Sequence, residues 1–351
     1  MYRACGDFSE SYRNDMRLIR TRWQWAALIL LAVGLLLYPQ VAGGAWTRFA
    51  TVTGITIVAV IGLQILVGLS GQVSVGQSAF MGVGGYFAAI AAARLGVPFP
   101  LPILAGAVGA TLFGMLFGLP AARIKGFYLA LTTLAAQFIF EFSIVRLPAG
   151  WFGASAGIAM PTPVIFGTPI NTPEGFYYMV LPFVVAACFA GVFILRSRLG
   201  RAFVAVRDND LAAEVTGINV TYYKVVSFGI ASFFAGTAGA LLAYENRFVH
   251  FEQFTLFESI WFLGMLIVGG MGSILGAVLG AIALRLVQEL LMIGGPVLVG
   301  YLPGARYDIA FPLVNVVLGT TIILFLIYQP RGLAHIYRKG ERFFRLWPFP
   351  H

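Results

Sequence analysis

Ten long apolar stretches, separated by short polar or glycine- and proline-marked breaks, set the pattern of this chain. They cover roughly residues 23–41, 50–69, 78–95, 101–122, 127–147, 176–195, 223–244, 256–268, 275–293 and 307–328. A helix needs about 20 mostly apolar residues to cross the hydrocarbon of a bilayer. The pattern therefore predicts an all-α membrane protein of about ten transmembrane helices. The first stretch follows Arg17, Arg20 and Arg22 in the manner of a signal peptide. Its apolar part exceeds a signal's short core, so it reads as an anchor.

Composition agrees and removes the soluble classes. Of 351 residues, 59% are hydrophobic and 11% charged, against ~25% charged in an ordinary globular domain. The 42 glycines follow no triplet period, which excludes collagen. Cys5 and Cys188 make no paired motif, and His250, His335 and His351 stand alone, so no metal site is legible.

The formal charge of +9 does not point to nucleic acid once it is mapped. With the N-terminus inside, 17 of the 23 lysines and arginines fall in cytoplasmic segments. They sit in the basic start of the chain, at Arg123 and Lys125, in the loop 196–222, and in the basic tail. Five fall outside and Arg285 lies within a helix. This asymmetry predicts an even number of spans with both termini cytoplasmic. The chain then divides into a basic cytoplasmic segment 1–22, a transmembrane domain 23–330 and a basic cytoplasmic tail 331–351. Within the domain, the outer loop 148–175 is stiffened by five prolines.

The inner loop 196–222 carries the most information. Asp208, Asn209 and Asp210 are N-cap formers that place negative charge at a helix start. Leu211, Ala212, Ala213, Glu214 and Val215 favour helix, and Gly217 suits the stop. A short capped helix over 209–216, presenting Ala212 and Ala213, is more than a soluble connection needs. It predicts a docking element beneath the membrane.

Glycine spacing supplies a second pattern. Gly272, Gly276 and Gly280 recur every four residues, as do Gly114 and Gly118, and Gly85, Ala89 and Ala93 form a similar small stripe. Such stripes let helix backbones approach closely in lipid. The run Val67-Gly68-Leu69-Ser70-Gly71 is echoed by Val268-Gly269-Gly270-Met271-Gly272 at the corresponding inner end of another helix. Ser70, Gly71, Gln72, Ser74, Gly76 and Gln77, with Gly269, Gly270, Met271, Gly272 and Ser273, form two breaks near membrane depth. Irregular polar backbone there either lines a water-filled pathway or bonds to neighbouring helices. Charges inside the membrane are few. Arg285 and Glu289 are spaced to pair at i,i+4, Asp308 lies near a helix end, and Glu141 suits a structural hydrogen bond or water contact. Trp23, Trp25, Trp46 and Trp261 fall near helix ends, as interface anchors do. The chain has no phosphate-binding Gly-x-x-x-x-Gly-Lys-Ser/Thr motif, so energy from ATP has to come from another subunit. Clustered acid, base and nucleophile groups are absent too, so the expectation is a transport subunit and not an enzyme.

Gly200-Arg201-Ala202, followed by Arg207-Asp208-Asn209-Asp210-Leu211-Ala212-Ala213-Glu214 and then Gly217, resembles the ATPase-coupling loop of ABC importer permeases. Gly68-Leu69-Ser70-Gly71-Gln72-Val73-Ser74, Gly84-Gly85-Tyr86, the run from Gly126 to Leu134, Gly269-Gly270-Met271-Gly272-Ser273 and Gln329-Pro330-Arg331-Gly332-Leu333 extend the likeness over roughly residues 50–335. In sequence and order they resemble the M-type permease of branched-chain amino acid importers. One departure is Phe152-Gly153-Ala154-Ser155-Ala156-Gly157-Ile158, where the family often has Thr-Gly-Gly-x-x-Gly-Ile. The resemblance implies the larger-importer architecture, with a path between two homologous permease subunits in a bacterial cytoplasmic (inner) membrane. It implies a periplasmic or lipid-anchored binding protein that delivers Leu, Ile, Val or a similar small amino acid. Two cytoplasmic ATPases would use ATP and Mg, with no cofactor held by this chain. Urea or short-chain amide permeases share much of the pattern, and monosaccharide permeases are more distant. An ATP-independent secondary carrier is the rival from another class, and the coupling loop argues against it.

Overall fold

A polypeptide that crosses lipid has to bond its own backbone N–H and C=O groups, and the apolar stretches do so as helices. The computed structural model describes residues 22–124, 126–153, 156–165, 167–300, 310–329 and 331–346. Arg3, Cys5, Lys125, Arg306, Asp308 and His351 lie outside these residues. Along the chain run α1 (Arg22–Leu63), α2 (Gln77–Ala89), α3 (Leu101–Ala122), α4 (Phe127–Arg146), α5 (Pro173–Arg196), α6 (Arg198–Asp208), α7 (Asp210–Val215), α8 (Val220–Asn246), α9 (Leu256–Gly269), α10 (Ile274–Gly300), α11 (Ala310–Tyr328) and α12 (Leu333–Leu346).

Among the described residues all ten apolar stretches form helix, yet they do not make ten separate spans. Among the described residues seven helices are long and apolar enough to cross a membrane, or eight if the bent pair Asn315–Tyr328 and Leu333–Gly340 is one span. Two features lower the count. The first two stretches are joined in α1, which Gly43 interrupts at φ 73° and ψ 163°. The third stretch yields only the 13 residues of α2 before a π-helical turn at Ile90–Arg94.

α8 runs through the centre, and its composition explains why. It carries Gly229, Gly236 and Gly239 with five alanines, and most of its residues are buried. A Cβ at Gly236 would lie 2.8 Å from the Gly106 carbonyl of α3, and one at Gly239 would lie 2.9 Å from Met81 Cα of α2. A Cβ at Gly84 would lie 2.7 Å from the carbonyl carbon of Gly236. Three helices therefore touch backbone to backbone, at separations that any side chain would prevent. Gly118 extends the α3–α8 seam, where a Cβ would lie 2.9 Å from Phe228 Cβ, and Gly114 abuts Ser232.

Several expectations need correction. Gly276 and Gly280 pack against Gly269 and Gly270 within the α9–α10 hairpin, but Gly272 is not part of that stripe. It sits in the turn at φ +83°, where an added Cβ would meet Arg207 and Gly68 O only at ordinary contact distance, so its need is conformational. The stripe Gly85, Ala89, Ala93 fails at its end: the π-helical turn adds a residue per turn and buries Ala92 while Ala93 is exposed. Trp261 is 4% exposed and belongs to the core, whereas Trp25 and Trp46 are exposed. The loop 148–175 is tied down as well as stiff. Its strand β1 (Ile158–Ala159) pairs antiparallel with β4 (Phe248–Val249), and β2 (Val164–Ile165) with β3 (Thr168–Pro169).

The packing predicts its own test. Gly236→Leu forces α2, α3 and α8 apart and should cost at least the ~1–3 kcal/mol typical of overpacking. Gly319→Ala, with nothing within 4 Å of the added methyl, should leave the melting temperature of the isolated chain unchanged or raise it slightly. Thermal unfolding of both variants in detergent checks the contrast.

Candidate functional site

The inner loop folds as two helices where one was expected. Leu199, Ala202, Phe203 and Val206 recur at i, i+3, i+4 and i+7, a one-faced helix pattern that was legible in the residues. α6 buries Ala202, Phe203 and Val206. Its N-cap is Ser197, whose hydroxyl accepts from Gly200 N at 3.3 Å. Gly200 is needed for closeness, because a Cβ there would lie 2.5 Å from the Leu195 carbonyl at the end of α5.

α7 follows after a single residue. Of the three expected cap formers, Asn209 is the cap: its Oδ1 accepts from Ala212 N at 3.1 Å. Asp208 ends α6 and accepts from Arg207 at 2.8 Å instead. Asp210 sits in the first turn and pairs with Lys224 of α8 at 3.5 Å, which ties α7 to the foot of that helix. At the other end Ile218 N donates to Ala213 O at 3.0 Å and Gly217 N to Glu214 O at 2.9 Å. This double bond pattern needs a left-handed residue, and Gly217 supplies it at φ +87°. The exposed face differs from the expected one. Ala213 is 3% exposed and packs inward, while Leu211 and Val215, four apart, are 68% and 90% exposed beside Ala212 and Glu214. α7 thus presents two large apolar side chains to solvent from a firmly capped turn. A cavity of about 410 Å³ lies between this face and the end of α3, lined by Leu211, Glu214, Gly217, Thr221 and Ala122.

Arg207 connects the loop to the membrane helices. Its guanidinium donates to Gly68 O at 3.0 Å, where α1 ends in a π-helical turn. Its stem lies over Gly71, where a Cβ would come 2.6 Å from Arg207 Cγ. Gly71 is also in the left-handed region, at φ +71°. The two echoed glycine motifs meet here. A Cβ at Gly68 would lie 2.8 Å from Gly272 N, and Gln64, with its amide oxygen turned inward, accepts from Gly272 N and Ser273 N. A third landmark closes over them: a Cβ at Gly332 would lie 2.5 Å from Gly270 Cα. Arg201 remains exposed and donates to Arg196 O.

The polar run after Gly68 does break the helix, and its polar side chains turn into the protein. Ser70, Gln72, Ser74 and Gln77 are all buried. Gln72 donates to Ser70 Oγ at 2.8 Å and to Ser227 Oγ at 2.6 Å, and Gln77 donates to Ala59 O at 2.8 Å. Gly76 N points at Ser74 Oγ, at 3.4 Å. Met271 is the exposed member of the second break, while Gly269, Gly270 and Ser273 are buried. Glu141 accepts from Gln137 at 2.9 Å. Arg285 does not pair with Glu289; it donates to Thr56 at 3.0 Å and to Gln288 at 3.1 Å.

The arrangement joins the inner loop to the membrane helices. An exposed, capped helix stands on one side, two glycine-built breaks stand on the other, and Arg207 bridges them. Residues 46–326 match the family described as "Branched-chain amino acid transport system / permease component". The chain is 32% identical over 337 residues to the high-affinity branched-chain amino acid transport system permease protein LivM of Salmonella typhimurium, covering 89% of this chain and 74% of that one. It is 30% identical to LivM of Escherichia coli, covering 92% and 77%. The fructose import permease protein FrcC of Rhizobium meliloti is 27% identical, covering 73% and 74%.

Two substitutions separate the parts of the joint. Gly217→Val puts a β-branched residue at positive φ and should fray α7 without touching the membrane core. Arg207→Ala removes a charge-assisted bond to Gly68 O and should speed amide exchange over residues 66–72, leaving α7 capped. Hydrogen exchange read by mass spectrometry distinguishes these outcomes.

Proposed function

This chain belongs to the branched-chain amino acid transport system permease family, and on that premise we propose that it carries branched-chain or similar small neutral amino acids, as one of two homologous permease subunits of an ATP-driven importer. It is a multi-pass membrane permease. In the proposed arrangement α7 docks into an ATPase subunit on the cytoplasmic side, a second ATPase serves the partner permease, and an external binding protein delivers the substrate. ATP and Mg belong to the ATPases. The observation that carries the proposal is the Arg207–Gly68 bridge beside exposed Leu211 and Val215. A helix with a free apolar face, held by Lys224 and wired to two helix breaks, suits the transmission of movement from a docked motor. A self-sufficient carrier has no use for such an element.

The membrane topology follows the same reading. α1 is about 63 Å long, twice the ~30 Å of hydrocarbon, so it counts as two spans turning at Gly43. α2 with its π-helical extension makes a third, and the remaining long helices bring the total to ten with both termini cytoplasmic. The clustering of basic residues supports that orientation. The polar-neutral character of most spans fits a passive path that holds no substrate tightly.

Docking is tested by replacing Leu211 and Val215 together with Asp. The permease should insert and melt as before, since both side chains are exposed. Co-purification of the ATPases and receptor-stimulated ATP hydrolysis in liposomes should fall to background. Retained coupling would leave the loop a mere connection. Ala213→Trp should act differently, by lifting α7 off its own chain and lowering stability. For topology, Gly340→Cys in a background lacking Cys5 and Cys188 should react with an impermeant thiol reagent only from the cytoplasmic side.

A further inference from the structure

α2 does not start at a membrane surface. The segment 71–76 runs back into the bundle from the joint, and Gln77, the first residue of α2, donates to Ala59 O, ten residues before the end of the preceding π-helical turn. The start of α2 therefore lies about 15 Å in from that end, with Ser78 N donating to Ser259 Oγ at 2.9 Å. Beside it is a cavity of about 140 Å³, similar to the ~150 Å³ that accepts benzene in an engineered protein. Its polar lining is unlike that of an empty hydrophobic void. Ser78 is 1% exposed and its Oγ has no hydrogen-bond partner. Gln253 Oε1 is likewise buried and without a partner. Glu258 of α9 and Arg285 of α10 line the same space, and they form no ion pair with each other. Arg285 is about 17 Å along α10, near mid-membrane.

Opposite charges that face one cavity at this depth without closing on each other leave room for a ligand that carries both signs. The start of α2 adds partial positive charge on the side of Ser78. We propose that this cavity is a transit subsite for a small zwitterionic amino acid, with Glu258 receiving the α-ammonium group and Arg285, together with Ser78 Oγ at the start of α2, receiving the α-carboxylate. The assignment rests on the amino-acid permease reading above and deepens it. Discrimination of the backbone groups then occurs inside the permease as well as in any receptor, and the apolar walls from Val52, Ile55 and Phe262 take the side chain.

The test uses the importer complex purified without receptor, in a background carrying Cys5→Ser and Cys188→Ser. Ser78→Cys places a thiol in the cavity, where a small methanethiosulfonate converts it to a mixed disulfide with methanesulfinate leaving. Millimolar L-leucine should slow the reaction, while leucinamide and 4-methylpentanoate, each lacking one charge, should not. Adding Glu258→Gln should raise the half-protecting L-leucine concentration about tenfold, the loss expected of one charge-assisted contact. A thiol that never reacts, equal protection by all three compounds, or protection indifferent to Glu258→Gln would each overturn the subsite. If Ser78→Cys fails to assemble, Gln253→Cys reports on the same cavity with the same outcomes. Uptake of branched-chain amino acids by the cysteine-free importer with its receptor separates the two levels. Uptake without cavity protection removes only the subsite, whereas no uptake removes the amino-acid reading and the ligand named here with it.

Discussion

Close contact between backbones at glycine is the constraint on which this structure depends. In lipid no hydrophobic gain accompanies the meeting of two apolar helices, so association relies on dispersion contacts and on how near the axes can come. α8 meets α2 and α3 through Gly84, Gly106, Gly236 and Gly239, and no side chain separates them. Large apolar residues such as Phe80, Phe140 and Phe228 then fill the space around that seam. The result is a rigid centre to which less tightly held elements attach. Overpacking at Gly236, which lies against both Gly84 and Gly106, disturbs three helices at once.

The same small residue does a different job at the cytoplasmic end. Gly71, Gly217 and Gly272 are at positive φ, where the chain has to turn in a space too confined or a direction too sharp for other residues. These turns bring together segments far apart in sequence: the end of α1, the α9–α10 hairpin, the residues before α12, and Arg207 of the inner loop. Several of the polar groups at the break find partners within the protein. Ser70, Gln72 and Ser227 bond to one another, and Gln77 returns to α1. A helix can be interrupted at membrane depth because protein, and not lipid, surrounds the interruption. That interruption is also what places the start of α2 inside the bundle, next to the cavity between Glu258 and Arg285.

Transmission through such a joint requires two properties. For α7 to serve as the proposed docking element it has to keep its shape, and the bridge has to act on something that can move. α7 meets the first with a cap at each end and the Lys224–Asp210 pair. The two glycine breaks meet the second, since they are held by hydrogen bonds and close contacts that a shift of Arg207 changes directly. The bridge is a charged group donating to a main-chain carbonyl, which makes it directional as well as strong. Under the proposed function, force on the exposed face of α7 reaches the inner ends of α1 and α9 through this bridge.

By itself the sequence determined the membrane class, the location of the ten helical stretches, the family likeness and the existence of a short capped helix with its glycine exit. Those features rest on local physics: apolar length, charge asymmetry, capping chemistry and positive φ. Leu199, Ala202, Phe203 and Val206 also spelled out α6, although the cap formers that follow drew the reading to α7 alone. Only the tertiary structure decided that Ala213 faces inward and Leu211 and Val215 outward, because a six-residue helix has no periodicity long enough to define its buried side. The fates of Ser70, Gln72 and Arg285 were equally hidden, since each depends on which distant helix stands opposite. The same holds for the bridge from Arg207 to Gly68, formed by residues 139 apart in the chain. Hydropathy records how strongly a residue avoids water, but it carries no information about which neighbour takes the water's place.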